Sequence, residues 1–256
     1  MSEQRERGWR RRHAGVAVPC VAVLAGLAPP VPAQPPEQPA PDLTVQRLAD
    51  DVWLHSSDGA GPRANGLIVA TSEGALLVNT TPTVAGTRAL LAWVRRELPR
   101  PVRLAVITSA APGRMGGIAA LVEAKIPVHA TERTAERARR SGLGWTRDHF
   151  SFDSGARIRA GRYSLELLLP EGGSAPDDLL VWIPEARVLF GGALVCDAEA
   201  ALGPMSPALL NRWSQAVRRT RELSRGVRWV VPGEGDAGDA ALLDRTLALL
   251  QQAARP

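Results

Sequence analysis

Short-period alternation of apolar and polar residues runs through the early part of the chain and then gives way to helical spacing. Residues 45–48 and 52–55 read as a short strand pair. Residues 66–70 and 75–79 read as two more, separated by the turn signal Ser72-Glu73-Gly74. From 83 to 98 the apolar residues Val84, Leu90, Leu91, Val94 and Leu98 fall at helical spacing, and Pro99 stops the helix. Residues 104–107 are wholly apolar and β-rich, the pattern of a central buried strand. A helix over 114–124, a strand over 128–130 and a helix over 132–140 follow. The second half repeats this order more weakly. Strands are predicted over 157–159, 163–169, 179–183 and 187–190, a helix over 207–224, a strand over 229–231 and a closing helix over 240–253. Strands then helices, twice over, fit an α/β four-layer αββα sandwich, two sheets face to face with helices outside. The pattern alone does not separate this from other layered α/β folds.

The N-terminus changes the picture of where the folded part begins. A basic run ends at Arg12, an apolar stretch covers 14–28, and Val31-Pro32-Ala33 offers a small-residue cleavage site. Residues 1–33 are therefore expected to be a signal peptide, 34–42 a proline-rich linker, and 43–256 the folded domain. The expected location is periplasmic or secreted, with no membrane span in the mature chain. Five arginines and two glutamates lie in residues 1–33, so most of the formal charge of +5 sits in the leader. The remainder carries interspersed charges of both signs, which argues against a nucleic-acid partner. With Cys20 in the leader, Cys196 is the one thiol of the mature chain, and no internal disulfide is expected. A monomer is expected.

Two stretches, Asn65-Gly66-Leu67-Ile68-Val69 and Gly74-Ala75-Leu76-Leu77-Val78-Asn79-Thr80, resemble the metallo-β-lactamase superfamily. More narrowly, the chain resembles the zinc β-lactamases with a three-histidine site and an Asp-Cys-His site. Similarity continues in register through Val106-Ile107-Thr108, Gly116-Gly117-Ile118, Ile126-Pro127-Val128 and Pro176-Asp177-Asp178-Leu179-Leu180-Val181-Trp182. It ends through Val188-Leu189-Phe190-Gly191-Gly192, Val230-Val231-Pro232-Gly233 and 238–243, so it spans about residues 48–250. The resemblance implies the metallo-β-lactamase fold, the αββα sandwich above.

The departures bear on function. The resemblance implies a His-x-His-x-Asp-Arg loop after the strand ending at Ile107, and this chain has Ser109-Ala110-Ala111-Pro112-Gly113-Arg114. Ser109 and Ala111 stand at the two histidine positions and Gly113 at the aspartate position. Ser174 stands at the third histidine, Ala193 at the cysteine and Glu234 at the last histidine. All six ligand positions are changed. Asn79 replaces the aspartate expected beneath the metals, Cys196 stands where a substrate-binding lysine is expected, and Arg114 matches the family arginine.

Zinc hydrolysis needs protein ligands that hold the metal and leave a position for water, whose pKa falls from about 15.7 to about 7. A neutral serine hydroxyl is a poor ligand, and alanine and glycine offer no side-chain donor. No cofactor is therefore expected, although zinc is what the resemblance implies. His55, His129 and His149 show no i, i+2 or i, i+4 pairing. Ser109 and Ser174 lack a matched histidine base, and no Gly-x-Ser-x-Gly occurs. No matched histidine would lower the pKa of Cys196. The chain reads as an exported pseudoenzyme whose altered pocket could take a small molecule or a protein, lined by Asn79, Arg114, Asp177, Asp178 and Cys196. The alternative is an active, β-lactamase-like hydrolase using an unrecognised or metal-free site. Trp182, Trp213 and Trp229 read as core, and Arg133, Arg137, Arg139 and Arg140 as a solvated helix face.

Overall fold

A computed structural model describes residues 42–58, 61–145, 149–152, 155–170, 172–173 and 175–255. The leader, residues 34–41 of the linker and Ser174 lie outside the described residues. Alternating apolar residues build two sheets. In the first, β1 (Thr44–Ala49), β2 (Val52–Ser57), β3 (Ala64–Val69) and β4 (Ala75–Val78) pair antiparallel in sequence order. Then β5 (Val102–Val106), β6 (Val128–Thr131) and β7 (His149–Phe152) add in parallel. The second sheet runs β12 (Trp229–Pro232), β11 (Val188–Gly192), β10 (Leu180–Ile183), β9 (Tyr163–Leu168), β8 (Ala156–Ala160), with β12 parallel to β11 and the rest antiparallel.

Parallel neighbours need crossovers, and helices supply them. These are α1 (Val84–Glu97), α2 (Pro112–Met115) with α3 (Ile118–Glu123), α4 (Glu132–Arg140) and α5 (Pro207–Leu223), and α6 (Ala241–Ala253) closes the chain. The entry to α1 is fixed by Thr83, whose hydroxyl accepts the Gly86 N–H at 3.0 Å. Ser206 does the same for α5, followed by Pro207 at the first helical position.

The period-2 alternation explains the layering. On β3, Leu67 and Val69 point between the sheets while Ile68 points outward, and on β10 Val181 and Ile183 point inward while Leu180 and Trp182 point outward. Three apolar clusters result: one between the sheets around Leu67, Leu165 and Phe190, and one under α1, α3 and α4 around Ile68, Leu90 and Leu121. The third lies under α5 and α6 around Trp182, Trp213 and Leu243. Three cores between four layers make the αββα sandwich.

Three local readings change. The helix expected over 114–124 is broken into α2 and α3, because Gly116 and Gly117 lie against neighbouring backbone and side chain. A Cβ on Gly116 would overlap Pro82 O, and one on Gly117 would overlap Thr87 Oγ1. Residues 149–152 form β7, an edge strand that the pattern missed. The strand expected from 187 starts at Val188, because Arg187 takes φ 56° in the hairpin turn and donates its N–H to Pro184 O at 3.1 Å.

Candidate functional site

The C-terminal ends of β4, β5, β11 and β12 open at the same end of the sandwich, and backbone bonds fix them there. Between the sheets, Asn65 N–H donates to Gly233 O at 3.0 Å and Leu179 N–H to Thr108 O at 2.9 Å, and within the second sheet Gly233 N–H donates to Gly192 O at 2.8 Å. The positions that the sequence resemblance assigns to the family's ligands lie on the loops held by these bonds. Ser109, Ala111 and Gly113 occupy one loop from β5 into α2, Ala193 follows β11, and Glu234 follows β12, where it bridges to Ala64. Gly113 faces this bridge: a Cβ there would meet Ala64 Cβ at 3.2 Å and Glu234 Oε1 at 3.8 Å. Ser174 lies outside the described residues.

Charge at this end is carried by Arg114, Glu234, Asp177 and Asp178. Arg114 is only 4% exposed and its guanidinium lies on Gly233, where any Cβ would overlap Nη2. Its Nη1 donates to Glu234 Oε1 at 3.2 Å, while the Glu234 side chain stays 46% exposed. Asp177, 2% exposed, ties loop to helix: its Oδ2 accepts the Ala110 N–H at 2.7 Å, and its Oδ1 stands 3.5 Å from Arg137 Nε. Asp178 beside it has Oδ2 buried with no hydrogen-bond partner among the described residues. Burial first and the Asp177 carboxylate second push the Asp178 carboxyl up to about 7, against the pull of Arg114, the Ala175 backbone and Arg137. It is thus poised between acid and carboxylate near neutrality.

Beneath the loops lies an amide clamp of which the sequence reading singled out Asn79 but not Asn65. Asn65 is fully buried. Its Nδ2 donates to Pro232 O at 3.0 Å and Gly235 O at 2.7 Å, and its Oδ1 accepts the Ser56 hydroxyl at 2.6 Å. Asn79, at φ 64°, accepts from Thr108 N–H and Thr108 Oγ1, both at 3.0 Å, and donates to Asn65 O at 3.4 Å. A polar side chain in an otherwise apolar strand was the available signal for Asn65. His55 lies alongside, opposite Gly66, and donates from Nε2 to Val78 O at 3.2 Å. Burial holds its pKa down to about 4, against backbone bonds to Val78 and Asn79 that pull upward. Cys196 packs instead in the core under α5 and α6, with its N–H on Thr246 Oγ1 at 3.0 Å, and burial pushes its thiol pKa up.

Comparison with known proteins identifies the lineage. The chain matches no family model. It is 34% identical over 214 residues to the metallo-β-lactamase type 2 of Bacillus sp. (strain 170), covering 82% of each chain. It is 31% identical over 214 residues to that of Bacillus cereus, covering 82% of this chain and 83% of the relative. Among solved structures, the metallo-β-lactamase from Pontibacter korlensis superposes with a TM-score of 0.76 at 35% identity, over 82% of this chain and 99% of that one. FIM-1 from Pseudomonas aeruginosa, solved in a mono-zinc form, gives 0.75 at 27% identity, over 86% of this chain and all (100%) of that one. The chain belongs to the metallo-β-lactamase family.

The family corrects the expectation that no cofactor attends this chain: the relatives are metallo-β-lactamases, one solved with zinc, so zinc is the metal implied here. Zinc takes imidazole, thiolate and carboxylate. Among the described residues the positions that the sequence resemblance assigns to the ligands hold Ser109, Ala111, Gly113, Ala193 and Glu234, and the Glu234 carboxylate is engaged by Arg114. No group of three or more His, Cys, Asp or Glu side chains converges among the described residues. Among the described residues, this donor set does not fit a catalytic zinc at the positions the resemblance assigns to the ligands. Also among the described residues, no helix is long and apolar enough to cross a membrane.

Proposed function

We propose that this chain uses the metallo-β-lactamase scaffold for binding rather than β-lactam hydrolysis, as an exported, monomeric pseudoenzyme. One observation carries the reading. The end of the sandwich on which family catalysis depends is built around an ion pair between the buried Arg114 and the half-exposed Glu234, with hydroxyl, methyl and hydrogen where ligating side chains are expected. A guanidinium and a carboxylate that neutralise each other can orient a polar ligand by hydrogen bonds. They cannot make hydroxide at neutral pH. The occupant is a small molecule or a protein segment that meets Arg114, Glu234 and the Asp177-Asp178 turn.

A second reading, hydrolysis at an unrecognised constellation, is favoured by Asp178, whose carboxyl titrates near neutrality beside Arg114 as a general acid or base would. One experiment separates the two. Purified protein is analysed for metal content and assayed with a chromogenic β-lactam, with zinc, without it and after chelation. The binding reading expects no turnover under any condition. Stoichiometric zinc with turnover lost on chelation overturns it. Metal-independent turnover abolished by Asp178→Asn supports the second reading.

A further inference from the structure

Behind the loop that carries Glu234 lies a cavity of about 380 Å³ that plays no part in the reading above. Its volume falls at the lower end of the roughly 300–1,000 Å³ found for small-molecule sites. It opens between the β1–β2 hairpin and the start of β12. Leu54 and Ser56 face it from β2, Thr44 and Gln46 from β1, Trp229 and Asp236 from the opposite side, with Arg63 also in the wall.

The chemistry of this wall is mixed in a defined way. Ser56 is 5% exposed and donates its proton to Asn65 Oδ1, so towards the cavity its oxygen is an acceptor. Arg63 donates to Thr44 Oγ1 and stands 3.6 Å from Asp58, so its charge is already countered. Asp236 is exposed and has no cation paired with it among the described residues. Gln46 is exposed and offers both a donor and an acceptor. The half-buried Trp229 ring, Leu54 and Ala237 supply apolar surface. A free anion is disfavoured by Asp236, and a purely apolar ligand by five polar side chains. A compact molecule with apolar faces and hydroxyl-bearing edges satisfies both sets of groups.

We propose that this cavity is a carbohydrate site, taking a mono- or disaccharide with Trp229 against the sugar face and Gln46, Ser56 and Asp236 on its hydroxyls. The site is connected to the family's loop through one side chain, because Asn65 accepts from Ser56 and donates to Gly235 O and Pro232 O. The proposal does not depend on whether the family's end of the molecule turns over a β-lactam.

The test is NMR titration of the folded protein with glucose, N-acetylglucosamine, maltose and chitobiose, with an N-acetyl amino-acid amide as a counter-probe. Saturable shifts are expected at the Trp229 indole and the Gln46 side chain with at least one sugar and not with the amide. Gln46→Ala and Asp236→Ala, both at exposed positions, should each weaken binding about tenfold or less, the effect of losing one hydrogen bond, with the thermal midpoint unchanged. Absence of saturation by all four sugars overturns the proposal. So does equal binding of the amide, or binding that survives the double substitution unchanged.

Discussion

Asn79 takes a left-handed backbone, φ 64°, at the end of β4 and uses both halves of its amide: the oxygen holds two donors from Thr108, and the nitrogen faces Asn65 O. Asparagine tolerates that backbone better than most residues. The aspartate that the resemblance implies at this position would keep the acceptor but lose the donor, setting a carboxylate oxygen against a carbonyl in a buried place. Asn79→Asp should therefore destabilise this chain by about 1–3 kcal/mol, the cost of an unsatisfied buried polar contact, read from urea unfolding near neutral pH. Asp178 and His55 add opposite pH dependences. Between the ordinary carboxylate pKa of 3.8 and about 7, folded Asp178 holds more protons than the unfolded chain, so stability falls as pH rises through that window. Asp178→Asn should raise the urea midpoint at about pH 8 and leave it nearly unchanged at about pH 4. His55 is depressed from 6.5 to about 4, so its contribution is complete above 6.5 and is lost as pH falls towards 4. At full burial this amounts to roughly 3 kcal/mol, and His55→Gln should flatten the acid limb of the stability profile by that order. The sequence exposes Asn79 and Asp178 as residue types at matched positions. It does not carry the partners that give them these properties, because Thr108, Asn65 and Arg114 come from other strands and loops.

The break between α2 and α3 is the element that most constrains the site, since it turns Arg114 towards Gly233 while Ile118 and Leu121 enter the core under α1. Gly117 permits it. Its N–H donates to Thr81 O at 3.0 Å, and a Cβ there would overlap Thr87 Oγ1 and stand 2.6 Å from Thr83 O, which is backbone and cannot swing away. Gly117→Ala should cost about 1–3 kcal/mol through overpacking and lower the thermal midpoint, whereas Gly142→Ala, with open space around its Cβ but φ 67°, should cost less. Periodicity could not reveal this break, because Met115, Ile118, Leu121 and Val122 continue a helical pattern straight through it. The inner strands were legible for the opposite reason: β3, β4, β5, β10 and β11 bury both faces, and their runs of Leu, Val and Ile leave no other reading. β7 is an edge strand whose sequence, His-Phe-Ser-Phe, lacks the aliphatic run that marks β4 and β10 of the same length. The αββα arrangement itself was legible only through the ordered matches to the family.

Across the whole molecule, the three cores and the backbone and amide clamps between the loops are built without the side chains of Ser109, Ala111, Gly113 and Ala193, and Glu234 enters only through its ion pair with Arg114. Asn65 bonds Pro232 and Gly235, Gly233 bonds Gly192, Leu179 bonds Thr108, and Asp177 bonds Ala110, so four segments at the strand ends are held by backbone, by neighbouring residues or by β3. A scaffold fixed in this way should accept the family's donors again. The sixfold variant Ser109→His, Ala111→His, Gly113→Asp, Ser174→His, Ala193→Cys, Glu234→His is expected to bind zinc at a defined stoichiometry and more tightly than its parent. The measurements are metal analysis after dialysis and competition with a chromogenic chelator, and zinc content equal to that of the parent would refute preservation of the scaffold. The substitutions are not independent. Glu234→His alone removes a half-exposed carboxylate from the buried Arg114, which should cost about 1–3 kcal/mol, less than the loss of a partner in a fully buried pair. An aspartate at position 113 starts from a Cβ 3.8 Å from the present Glu234 Oε1, so its carboxylate arrives beside the same guanidinium. Ala64, at 3.2 Å, has to yield by a few tenths of an ångström. The fivefold variant that keeps Gly113 should therefore be markedly less stable than the sixfold one, with zinc present or removed, because only the latter gives Arg114 a partner to replace the one it loses.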